Sequence, residues 1–321
     1  MTTFQDNVFS AAGMLTPQGI PATFGKVYFV DVANGSDGYD GLSMKVGGGH
    51  GPKATVLAAY NATTTNNHDV IVMTGAGGHT FSDELVVSKN RVHFVGLGGG
   101  TRYLGQRTRW TMGVTTGSAI ALLKVTGVGC TFTNIKMTSS DTLSTSLYCV
   151  ADGGEFTQFT NCWMEKSTDL DQTGAAELLA NGDTCYYYRC TIGNGIYTPS
   201  VARQNVLATR ETISGKAARS CIWEDCLFLS RCGSTTFVNV RATTNDFERT
   251  TLFKNCHFEA VKTSTATQDE AFGIASALTD AQITLTNPTV VNITNIATAS
   301  SGVFSNIANS ASLGGKVTEV T

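Results

Sequence analysis

Six stretches of this chain repeat one short phrase, and that repetition restricts the available folds more than any single motif does. The phrase is plainest as Phe159-Thr160-Asn161-Cys162-Trp163-Met164: an apolar residue, a spacer, Asn, Cys, a spacer and a second apolar residue. It returns from Phe132 to Met137, Tyr187 to Ile192, Trp223 to Phe228, Phe253 to Phe258 and Leu285 to Val290. Its fourth position falls at 135, 162, 190, 226, 256 and 288, in steps of 27, 28, 36, 30 and 32. A period that drifts while the phrase keeps its register means that insertions are confined to loops. Short strand signals at such a period belong to stacked coils, each burying its apolar face only against its neighbours.

The phrase also sets local geometry. Five residues before its fourth position stand Cys130, Thr157, Cys185, Cys221, Thr251 and Ile283. Each is two residues from the first apolar position, so in a strand the two share a face. The sixth position is an odd number of residues away, so the chain must bend between them, at the Asn-Cys pair. Asn and Asp tolerate left-handed backbone and bond to neighbouring backbone. At about 4.8 Å from coil to coil, Asn134, Asn161, Asp225, Asn255 and Asn287 can pass hydrogen bonds along the axis, a ladder that Arg189 interrupts. The first, fourth and sixth positions are predicted to face the core.

The phrase, together with Tyr28 to Ser43 (Tyr-Phe-Val-Asp-Val-Ala-Asn-Gly-Ser-Asp-Gly-Tyr-Asp-Gly-Leu-Ser) and the Ala-rich stretch after it, resembles the parallel β-helix proteins of pectate-lyase type, especially those built into bacteriophage particles. The resemblance spans roughly residues 26 to 310. It implies an all-β, single-stranded right-handed parallel β-helix with a short N-terminal capping helix. That scaffold carries lyases, hydrolases and inert virion parts alike. The expected organisation is an extended arm over residues 1–25, one solenoid over 26–301 and a C-terminal cap or tail over 302–321.

Composition narrows the function classes. Only 15% of the 321 residues are charged, the formal net charge is −3, and Lys and Arg are scattered singly. No basic stripe for phosphates is visible, which argues against a nucleic-acid partner. Nine Cys include no Cys-x-x-Cys pair. Cys162, Cys190, Cys226 and Cys256 share one repeat position, where a buried thiol packs as a compact apolar group and stays reduced. The first residues, Met1 to Asp6, have neither a basic region nor an apolar run, and no stretch reaches the roughly 18 apolar residues of a membrane span. The expectation is a protein made in the cytoplasm, with no membrane partner.

Along the chain, Lys26 to Val32 reads as a first strand, and Gly35 to Gly51 as a Gly- and Asp-rich loop. Pro52 opens a helical stretch carrying Val56, Tyr60 and Thr63 at helix spacing, which would plug the end of the solenoid. Asp69 to Met73, Leu85 to Val87 and Val92 to Val95 read as strands. Gly96 to Gly100 lacks the Lys-Ser or Lys-Thr of a phosphate loop and reads as a turn. Thr101 to Gly117, with Arg102, Arg107, Arg109 and Trp110, reads as a long insertion suited to a protein interface. Further strand signals precede each phrase, giving two or three strands per coil. Polar insertions follow it at Ser139 to Ser146, Ser167 to Gly174, Gly193 to Gln204 and Lys262 to Glu270, so one side of the solenoid is lined with loops.

Catalysis on such a scaffold needs two carboxylates across a groove, or a base beside an acidic calcium cluster. Asp169 with Asp171, Glu224 with Asp225, Asp246 with Glu248 and Asp269 with Glu270 are neighbours in sequence, but no acid is expected to recur at one coil position in adjacent coils. Asp31, Asp37 and Asp40 either gather around calcium or serve as turn residues. The five His (50, 68, 79, 93 and 257) show no metal-ligand spacing. No catalytic, cofactor or metal residue is therefore assigned. The resemblance implies a phage structural protein located in the virion, most simply a capsid decoration or cement protein contacting the major capsid protein or another virion protein, as a homotrimer. A tailspike-like β-helix that binds or cleaves host-surface polysaccharide is the alternative. The arm carries Phe4, Val8, Phe9, Met14, Leu15, Ile20 and Phe24, too apolar for a solvated tail, and is expected to be buried on the particle or on a sister subunit.

Overall fold

The computed structural model describes residues 25–74, 77–98, 108–113, 119–140, 146–167, 175–195, 204–209, 217–231, 238–242, 247–261, 268–274, 281–297 and 302–305. The arm, most of the polar insertions and Cys232 lie outside them. What they form is a right-handed parallel β-helix with three sheets running its length.

One coil shows the rule. Gln158–Thr160 lies in the first sheet, the chain bends at Asn161, Trp163–Lys166 lies in the second sheet, and Ala176–Ala180 in the third. All three strands pair in parallel with the equivalent strands of the coils before and after. The expected insertions fall between the second and third strands of each coil.

The bend is the same in every copy. Asn134, Asn161, Arg189, Asp225, Asn255 and Asn287 have φ of 59°, 51°, 52°, 54°, 52° and 49°. The first five also donate their backbone N–H to the next coil, as Asn161 does to the Tyr188 carbonyl at 2.8 Å and Arg189 to that of Glu224 at 2.9 Å. The side-chain ladder runs where Asn and Asp stand: Asn161 Nδ2 donates to Asn134 Oδ1 at 2.9 Å, and Asn255 Nδ2 to Asp225 Oδ1 at 3.3 Å. Arg189 replaces the rung with an ion pair, its Nε lying 3.6 Å from Asp225 Oδ2.

The phrase's first position makes a continuous stack inside the solenoid. Phe94, Phe132, Phe159, Tyr187, Trp223 and Phe253 follow one another at ring-centroid separations of 4.9, 4.8, 5.5, 3.8 and 5.5 Å, nearly coplanar throughout. The fourth and sixth positions are buried beside them, as the register predicts. Eight free cysteines stand among the described residues, all buried. The thiols of Cys162, Cys190, Cys226 and Cys256 do more than fill space, because each donates to the first-position carbonyl of the preceding coil at 3.3–3.4 Å. Burial pushes the thiol of Cys130 up to about 11 and that of Cys149 to about 12. Thiols held that far up are poor nucleophiles.

Four expectations change. The helix is Val56–Ala62, not a stretch from Pro52, because the Thr55 hydroxyl accepts the Ala58 N–H and sets the N-cap. Thr101 to Gly117 is not all insertion: Thr108–Met112 is a second-sheet strand, and Trp110 is fully buried among Phe81, Phe94 and Phe132, so it offers nothing to a partner. Gly78–Phe81 is a further strand, and His93 begins another. Val303–Ser305 pairs with Ile283, Thr284 and Leu285, so the first sheet continues into the segment expected as a C-terminal cap.

Candidate contact face and the fate of the carboxylates

On the outer side of the first sheet, alternate residues of successive strands form two columns. Gln158, Tyr186 and Ile222 stand in one, and Thr160, Tyr188, Glu224 and Lys254 in the other. Tyr186 and Tyr188 stack at 5.9 Å, with the Arg189 guanidinium 4.9 Å from the Tyr188 ring centre. Glu224 accepts from Lys254 Nζ and from the Tyr186 hydroxyl, each at 2.8 Å. Those two donors hold its carboxyl below the usual range despite some desolvation. Glu224 and Asp225, adjacent in sequence, therefore serve separate partners.

At the edge of this face the sequence reading needs correction. Glu155 lies opposite Asp183, Asp183 opposite Arg219, and Arg219 opposite Glu248. Acids do recur in adjacent coils, one residue before a left-handed corner that the phrase does not mark. They do not stand as a free pair. Arg219 binds Asp183 through Nη1 at 3.3 Å and Glu248 through Nε at 2.9 Å, while the Thr184 hydroxyl donates to Asp183 at 2.9 Å.

On the second sheet, Lys136 Nζ is 3.0 Å from Glu165 Oε1 and 4.0 Å from the Trp163 ring centre, and the Thr138 hydroxyl donates to Glu165 at 2.9 Å. The next acid of that column is Glu259, three coils on past Gly193 and Leu229, and His257 lies 3.1 Å from it. Three coil steps are on the order of 14 Å, against the roughly 5–9.5 Å between the two carboxyl groups of a glycosidase.

Two described carboxyl groups are pushed upward, as a general acid needs, and neither is free to serve as one. Burial raises Asp152, inside the solenoid, where Tyr187 and Thr157 donate to it at 2.6 and 2.7 Å. Burial also raises Glu84, which accepts the backbone N–H groups of Ile120 and Ala121 at 3.2 Å.

Asp31, Asp37 and Asp40 serve three separate turns. Asp31 accepts from Ala33 and Asn34, Asp37 from the N–H groups of Ala54 and Thr55, and Asp40 from Leu42 and His50. Burial opposes ionisation of Asp31, but donors from Asn34 and Ala33 outweigh it and hold its carboxyl low. Among the described residues, no three His, Cys, Asp or Glu side chains converge as metal ligands. His79 and His93 are buried strand residues. Asp169, Asp171, Asp246, Arg102 and Arg107 lie outside the described residues.

No family model and no curated protein sequence matches this chain. Solved structures do. The pectin methylesterase of Aspergillus niger aligns with a TM-score of 0.54 at 12% identity, covering 91% of this chain and 89% of its own. A pectin methylesterase mutant bound to a hexasaccharide aligns at 0.55 and 11% identity, over 92% and 94%. The pectate lyase Pel9A aligns at 0.54 and 12%, over 88% and 68%. At these identities the likeness establishes the pectate-lyase-type β-helix fold and no more.

Proposed function

We propose that this protein is a structural component of a bacteriophage particle, a capsid decoration protein that acts by protein–protein contact and assembles as a homotrimer. The observation that carries the reading is how the outer carboxylates are used. Glu165, Glu224, Asp183 and Glu248 each face a cation of their own surface. Such interlocked pairs fix side chains and give a contact face its register, at little net gain in stability. The resemblance of the Tyr28 to Ser43 segment and the phrase to β-helices of phage particles points the same way, and closed symmetry suits a partner bound at symmetric shell sites.

A second reading has its own support. Trp163 beside Lys136 and Glu165 is a combination that binds sugars, and the fold's solved relatives include a pectin methylesterase bound to a hexasaccharide. One experiment separates the two. The purified protein is incubated with capsular and pectic polysaccharides and, in parallel, with particles lacking it. Sedimentation with the particles and no release of reducing ends or unsaturated products is expected; release of either product would overturn the contact-only reading.

A further inference from the structure

The N-terminal end of the solenoid is closed on one side and open on the other. The first sheet extends beyond the first complete coil, Val70–Met73 with Gly78–Phe81 and Leu85–Val87, by one strand, Val27–Val30. The other two sheets stop earlier, the second at Gly78–Phe81 and the third at Leu85–Val87. The helix Val56–Ala62 fills part of the step. It packs on Val27–Val30 and Val70–Met73, and the Tyr60 hydroxyl accepts the N–H groups of Ser88 and Lys89 at 2.8 and 2.9 Å, which ties the helix to the end of the third sheet.

The second sheet has no such cover. Among the described residues no backbone group pairs with the outer edge of Gly78–Phe81. Between that strand and the start of the helix lies a cavity of about 420 Å³, its apolar part formed by Val32, Val56, Leu57, Phe81 and Leu85 and its polar part including Asp37, Asp83 and Glu84. Two of its apolar lining residues are exposed, Leu57 at 51% and Val32 at 40%. An unpaired strand edge beside exposed apolar side chains is the arrangement that accepts an added strand.

We propose that the occupant of this edge is the chain's own N-terminal segment, residues 1–24, lying along Gly78–Phe81 with an apolar side chain in the cavity. Position and length favour it. The described chain begins at Gly25, directly before the outermost strand of the first sheet, at this same end of the solenoid. From Gly25 to Val32 is seven residues, on the order of 23 Å of extended backbone, whereas 24 residues reach on the order of 80 Å. Composition fits as well. The segment carries Phe4, Val8, Phe9, Met14, Leu15, Ile20 and Phe24 but no Lys, Arg or Glu, so it brings little charge to a site that would have to desolvate it. The segment is then part of the cap and not a tether to a particle or a sister subunit.

The test uses the full-length protein and chymotrypsin, which has preferred sites within the segment at Phe4, Phe9, Leu15 and Phe24. Mass spectrometry follows cleavage there in the wild type and in Leu57→Asp, a change at a half-exposed position that leaves the helix cap intact. Thermal melting checks that both are folded. The expected result is cleavage at least tenfold faster in Leu57→Asp, with the wild-type rate independent of protein concentration. Equal rates in the two proteins would place the segment elsewhere, and protection lost on dilution would show that it sits on a second copy; either overturns the proposal. Hydrogen exchange at Gly78 to Leu85 gives a second readout: it should rise in Leu57→Asp while exchange at Gln158 to Lys166 stays unchanged.

Discussion

Most coils turn at two left-handed corners, and the two corners are built differently. At the first stand Asn134, Asn161, Arg189, Asp225, Asn255 and Asn287; at the second, five residues earlier in four of the coils, stand Gly129, Phe156, Thr184 and Ser220 with φ of 68°, 53°, 56° and 49°. The first corner uses residues that tolerate left-handed backbone and ties them together through side chains. The second imposes the same backbone on an aromatic and a β-branched residue. Its corner residues bond to the next coil through the main chain, as when Phe156 donates to the Asp183 carbonyl at 2.9 Å and Thr184 to that of Arg219 at 2.7 Å. A corner can thus be specified locally, by residue type, or globally, by the strands that enter and leave it.

That difference decides what could be read in advance. The first corner is legible because its residue types repeat, and the inward positions follow from it by alternation alone. The second is illegible because Gly, Phe, Thr and Ser share no chemistry, and with it went the column of Glu155, Asp183, Arg219 and Glu248. Trp110 is hidden in the sequence for a related reason. Its strand, Thr-Arg-Trp-Thr-Met, does alternate, but the Gly- and Arg-rich residues around it resemble a loop, and only pairing with Gly78–Phe81 and Ile135–Ser139 reveals it. Gly78-His79-Thr80-Phe81 carries still less signal, since burial of His79 depends on neighbours far away in sequence.

The largest expected effect tests the strand between the corners. Phe159→Ala removes a fully buried ring from the stack between Phe132 and Tyr187 and should cost about 3–5 kcal/mol. Lys254→Ala, on the outer side of the same sheet, should melt within error of the wild type. Equal losses in chemical denaturation would mean that the corners, not the stack, hold the coil together.

A pH effect comes next. His93 opens a first-sheet strand two residues after Arg91, itself left-handed at φ 55°. Burial, with the adjacent His68 acting in the same sense, lowers its imidazole from 6.5 to about 4. The folded protein therefore takes up this proton less readily than the unfolded chain does. Stability is full above about pH 6.5 and falls as the pH drops toward 4, by on the order of 3 kcal/mol. Melts of the wild type and His93→Gln at pH 7.5, 6, 5 and 4 check this; the variant's profile should be flatter over that window, and parallel profiles would assign the acid sensitivity to other groups.

The first corner should be the more sensitive of the two to residue type. Asn161→Val places a β-branched residue at φ 51° and removes the donor to Asn134. A left-handed penalty of about 1–2 kcal/mol and a lost hydrogen bond of about 1 kcal/mol together predict roughly 2–3 kcal/mol. A loss below about 1 kcal/mol in denaturant titrations would mean that the neighbouring strands dictate this corner too.

The smallest effect has the opposite sign and writes the first corner's chemistry into the second. Phe156 is 58% exposed at φ 53°, so its ring recovers little by burial while its Cβ bears the left-handed strain. Phe156→Asn keeps the main-chain bond to Asp183, substitutes a residue that accepts this backbone, and avoids the added unfolded-state freedom of Gly. The variant should be more stable by up to about 1 kcal/mol, seen as a higher melting temperature in matched scans. A destabilised variant would show that the ring packs usefully on its own chain. If stability rises as expected, the ring's retention at a strained, exposed corner points to use rather than architecture. Particle occupancy measured with the same variant then decides whether the first-sheet face is where this protein makes its contact: reduced occupancy in a more stable protein places Phe156 in the interface, and unchanged occupancy moves the interface off this corner.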